Sequence, residues 1–257
     1  MDVDIAWRAW GRRTAWFIAG AFLIGSVMLL LLSFNITAPE LTPTASGDMP
    51  DNVLAFFQNE EMRWPQDLTL SLLFALGFAA VAALGPTLRR LLGGDGPGAT
   101  MVSLAFVAAG LLGVVAQLMY VGAKEIAIDP HYCDCQYAAH QLIARREMLD
   151  VVSNIQGWLT DGFTYLFAIG LLIAARLGSE GRLPAGLVAF SRVVAVAGIG
   201  TALFSRIVPP LFDSLGINGI DVGQIALLFL LVVAGVLIPI WAAWLGRSLG
   251  PQEPAAT

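Results

Sequence analysis

MVSLAFVAAGLLGVVAQLMYVGA, residues 101–123, carries no charged side chain, and its reading decides the fold. Coiled as an α-helix it extends about 35 Å at 1.5 Å per residue, enough to cross a hydrocarbon core of roughly 30 Å. Lipid offers the backbone no hydrogen-bond partners, so a spanning segment must be a helix or a strand of a closed barrel. Barrel strands alternate apolar and polar residues, and this run does not. Working outward, five more runs of the same kind lie at about 15–34, 68–84, 158–175, 185–207 and 224–245. The expectation is an all-α polytopic membrane protein, a single domain built as a compact bundle of six transmembrane helices, with the lipid bilayer as its solvent.

Composition agrees. The chain has 257 residues, of which 57% are hydrophobic and 13% charged, with mean hydropathy +0.75. Soluble domains carry about twice that share of charge. Arg8, Arg12 and Arg13 precede the first run, as they would in a signal peptide, but the run exceeds the 7–15 residues of a signal core and reads as a retained helix.

The runs are joined unevenly. Residues 35–66 and 124–157 form two long polar segments, while the other connections are short and rich in Gly or Pro. Within the first segment, Pro and Thr predict coil over 35–50, and Asp51 suits the N-cap of a short helix over 51–64. In the second, Tyr137, Leu142, Leu149 and Val152 form a loose helical pattern suited to the membrane surface. Pro86, Pro209 and Pro239 predict two helix ends and a kink.

Charge sets an orientation. With both termini in the cytoplasm, nine of the fourteen bases lie inside, namely residues 8, 12, 13, 89, 90, 176, 182, 192 and 247. Fourteen of the nineteen acids then fall outside or near the outer face. Short inner loops holding most of the positive charge match the positive-inside rule, and both long segments become extracytoplasmic loops. Arg145-Arg146 runs against the trend. Trp16, Trp241 and Trp244 on one side, with Trp64 and Trp158 on the other, suit two aromatic belts.

Leu73-Phe-Ala-Leu-Gly77 recurs as Leu166-Phe-Ala-Ile-Gly170, each followed by arginine, a glycine-rich turn and a span of small residues. That is the pattern of two equivalent hairpins, although a small apolar alphabet also produces such matches by chance. Small residues at Ala75, Ala79 and Ala83, and at Gly198, Gly200 and Ala202, predict close helix contacts.

Few residues could carry chemistry. Both histidines and both cysteines of the chain fall in one loop as His131-x-Cys133-x-Cys135-x4-His140. Two thiols and two imidazoles suit Zn or Cu, but Cys-x-Cys is tighter than the spacing of known zinc fingers. The thiols could equally form a strained, easily reduced disulfide or stay free. Asp161 stands inside the fourth apolar run, where an ionisable group calls for a named partner. Arg206, at the outer end of the fifth, is that partner, and Gln117 and Tyr120 fall at a similar depth. Arg192 is placed to snorkel its charge to the headgroups.

Other classes are excluded. No phosphate-binding G-x-x-x-x-G-K-[ST] loop or H-E-x-x-H helix is present, and no basic patch suits nucleic acid. Nucleotide and nucleic-acid partners are therefore not expected. The sequence favours an accessory or structural subunit that meets a partner protein through its outer loops. A second reading is a small-solute carrier or channel with a polar outer cavity near Asp161 and Arg206. The third is an outer-face metal or thiol-redox protein centred on His131–His140.

Overall fold

A computed structural model describes residues 3–34, 49–128, 139–214 and 222–250. All regular structure among them is helical: α1 Val3–Ser33, α2 Met49–Leu91, α3 Pro97–Ile128, α4 Ala139–Gly178, α5 Ala185–Ser214, α6 Val222–Val232 and α7 Ile238–Ser248. A π-helical turn, Val233–Leu237, fuses α6 and α7 into one rod. Six helical stretches are long and apolar enough to cross a membrane: Ile5–Ser33, Phe56–Leu91, Pro97–Ala127, Ile143–Gly178, Ala185–Val208 and Leu227–Ser248. They mark the chain as a multi-pass membrane protein.

Several helices outrun the apolar windows. Residues 49–66, expected as coil followed by a separate short helix, belong instead to the continuous α2. The second span, expected to stop near Leu84, continues through Pro86 to Leu91. A proline inside a helix removes a single hydrogen bond, and tertiary packing outweighs that loss. α5 likewise passes Pro209-Pro210 and ends at Ser214. The helical pattern of 136–155 does not lie flat before the fourth span; from Ala139 it forms the same rod as that span. Just ahead of Pro239, where a kink is expected, the rod carries the π-turn, in which the amide of Ile238 donates to the carbonyl of Val233.

The spans close a ring in chain order. Each helix packs on the next, and the α6–α7 rod returns to α1. At the end holding both described termini, the ring is filled solid. Arg90 lies over the Trp7 ring at 4.9 Å, and Arg182 donates to the carbonyl of Leu92. Gly93 takes φ +121° in that turn, where a side chain would collide with Arg182. Trp241 belongs to this plug and not to an aromatic belt. It is buried, and its Nε1 donates to Ser191 Oγ at 3.0 Å.

The tightest helix contact is α2 on α3. A Cβ on Gly110 or Gly113 would overlap Phe78 and Ala82, so the backbones meet through glycine as close-packed membrane helices do. Of the alanine stripe expected to pack closely, Ala75 is buried while Ala79 faces outward. At the opposite end, Phe57, Ala127 and Leu149 form a second small core that ties α2, α3 and α4 together.

Candidate functional site

The ring is not solid throughout. A cavity of about 570 Å³ occupies its axis in the half away from the termini, and all six spans contribute to its wall. Its floor is aromatic. Phe78 and Phe163 meet edge to face at 4.5 Å between centroids, Phe22 packs on Phe78 at 5.3 Å, and Phe163 stacks on Phe167 at 5.5 Å. Below these rings, Phe106, Leu84, Leu171 and Leu245 are fully buried and close the axis. Along α2 the wall runs from Asp67 down to Phe78, about 16 Å at 1.5 Å per residue.

Two ion pairs hold the upper wall. Across α4 and α5, Arg206 Nε donates to Asp161 Oδ2 at 2.5 Å, and the guanidinium lies 4.4 Å from the Trp158 ring. Across α2 and α3, the ammonium of Lys124 donates to Asp67 and lies 2.5 Å from Glu60 Oε2. Its third donor points to Tyr120 Oη at 3.4 Å, so an ammonium with three hydrogens has three partners. Lys124 is 2% exposed, against 30% for Arg206. A charge so enclosed persists only when paired, because removing it from water costs more than any single contact returns.

Asp161, Arg206, Gln117 and Tyr120 all line the cavity. Asp67, also in the wall, and Lys124 with Glu60 behind it were not singled out from sequence. One signal was available: Glu60 and Asp67 stand two turns apart on one helix face, seven residues from each other. Arg192, outside the cavity, is exposed on α5.

Hydroxyl groups fill the wall between charges and floor. Thr160 Oγ1 and Thr164 Oγ1 return to carbonyls one turn back, at 2.9 Å each. Ser26 differs: it is buried, lines the cavity, and its Oγ has no hydrogen-bond partner among the described residues. A hydroxyl so placed can hydrogen-bond to a polar atom that enters the cavity.

The thiol and imidazole cluster is less informative. His131, Cys133 and Cys135 lie outside the described residues. His140 falls in the first turn of α4, and its side chain is likewise outside them. Among the described residues no group of three or more His, Cys, Asp or Glu side chains could hold a metal, and a Zn or Cu centre has no support there.

Comparison with protein-family models, with curated proteins and with solved structures returns no match.

Proposed function

We propose that this protein is a small-solute carrier whose binding site is the axial cavity. The observation that carries this reading is a ring of six spans that is open along half of its axis and plugged along the other half. A structural bundle gains by filling its axis, since every void forfeits packing energy. A ring that leaves about 570 Å³ unfilled by its own side chains, and lines it with two ion pairs and a buried hydroxyl, is built to hold something. Closure at the aromatic floor supplies the barrier that a carrier must open on one side at a time. The distribution of arginine supports cytoplasmic termini, with the cavity mouth and the two long polar segments on the opposite face.

Cysteine accessibility tests the whole reading. On a background with Cys133 and Cys135 replaced by serine, single cysteines at Thr201 and at Val194 are exposed to a membrane-impermeant maleimide in right-side-out and inverted vesicles. Thr201→Cys is expected to react from the non-cytoplasmic side. Val194→Cys, near the floor, is expected to react slowly from both sides. Silence at both positions would sink the carrier reading and leave an accessory subunit, meeting a partner protein through its outer loops, as the better account.

A further inference from the structure

We propose that the cavity takes a monovalent organic cation with an apolar body, an assignment that rests on the cavity being a binding site. The first support is the sign of the wall. Its charged groups are Asp67, Asp161 and Arg206, and with Lys124 and Glu60 directly behind Asp67 the two clusters hold three acids against two bases. Arg206 is turned to Asp161 and stacked on Trp158. Lys124 is not part of the wall, and its three donors are directed to Asp67, Glu60 and Tyr120. Both bases are already directed to carboxylates, so an anion would have to compete with those acids for them, whereas an ammonium offsets the one acid in excess. Between largely apolar walls, a charge is screened less than it would be at a surface.

A second and independent support is the order of groups along the axis. Carboxylates sit at the upper wall and the Phe22, Phe78 and Phe163 rings at the floor. A ligand that spans both must be polar at one end and apolar at the other. Aromatic faces also attract cations, so a cation that slides toward the floor still finds partners. Ser26 Oγ, unpartnered and only 5% exposed, stands one turn above Phe22 on α1 and can accept a hydrogen bond from an ammonium.

Three ligands with one body decide the matter: 1-adamantylamine, protonated at neutral pH, 1-adamantanol, and 1-adamantanecarboxylate. Each is titrated by calorimetry into the full chain in phosphatidylcholine nanodiscs, with empty nanodiscs subtracted. The amine is expected to bind saturably at one site, at least about tenfold tighter than the alcohol, with the carboxylate weakest. Asp67→Asn should weaken the amine by about tenfold and leave the alcohol unchanged. If that variant does not fold, the three-ligand comparison on the parent protein still decides. An alcohol or carboxylate that binds within tenfold of the amine would overturn the assignment of charge while leaving the site itself standing. Failure of all three to bind would overturn both.

Discussion

The two ion pairs of the cavity are built alike and buried differently. Each joins an acid on the first helix of a hairpin to a base near the end of the second: Asp67 to Lys124, and Asp161 to Arg206. The α2–α3 pair adds a second acid, Glu60, and a phenol, and encloses its cation almost fully. The α4–α5 pair leaves its cation a third exposed and lays it on an indole. Lysine concentrates its charge at one atom, and three acceptors can surround that atom completely. Arginine spreads its charge over a plane, so one edge can pair while a face stacks. The first pair is a clasp between helices, and the second is a wall of the cavity with one side facing inward.

Removing each cation should separate these roles. Lys124→Met leaves two largely buried carboxylates without their ammonium, and a loss of about 3–5 kcal/mol is expected in reversible unfolding from mixed micelles. Arg206→Met leaves one carboxylate with access to the cavity, and the loss should be smaller, on the order of 1–2 kcal/mol after screening. An equal loss in the two variants would mean that the pairs are equivalent and that burial does not set their strength. Glu60→Gln keeps an acceptor beside Lys124 while removing the surplus charge, so a loss of no more than about 1 kcal/mol is expected. A loss matching that of Lys124→Met would show that the clasp needs both acids ionised. The smallest effect belongs to Trp158→Leu, about 0.5–1 kcal/mol from the lost cation–π contact, with Trp fluorescence reporting whether the fold is otherwise unchanged.

Much of this molecule was legible from sequence, for reasons that particular residues make plain. The six spans were readable because an apolar run of membrane length has almost no other use. Asp161 was readable because a carboxylate in such a run must be accounted for, and Arg206 was the base at matching depth. Lys124 was harder. It directly follows an apolar run, where a charge usually means the end of the helix, but α3 continues to Ile128 and draws it into the bundle. Its two acids lie 57 and 64 positions away, a separation that local pattern does not encode. Helix ends were missed wherever a polar, amphipathic extension continued a spanning helix, as in α2 and α4, because hydropathy reports lipid and not the helix itself. Ser26 gave no signal at all, since an isolated serine in a greasy helix ordinarily bonds to its own backbone.

The shared Leu-Phe-Ala-x-Gly segments take on sense beside the two pairs. Gly77 admits Phe22, and Gly170 admits Phe106, so each glycine clears space for a ring from a neighbouring helix. Asp67 precedes the first segment by six residues and Asp161 the second by five, so the two hairpins share a plan without sharing a register.

The π-turn at Val233–Leu237 has a consequence for the phase of the last helix. One residue more than an α-helix needs is accommodated there, and each residue of α-helix rotates the chain by about 100°. Upstream of the turn, Leu227, Leu230 and Leu231 face the cavity; downstream, Trp241 and Leu245 face the plug. Winding the same residues as an unbroken α-helix, without the turn, would swing the downstream face by that angle. Trp241 would leave Ser191, and the floor and the plug would fall out of step. The extra residue is thus a phase adjuster, letting one rod serve an open half and a closed half of the same ring.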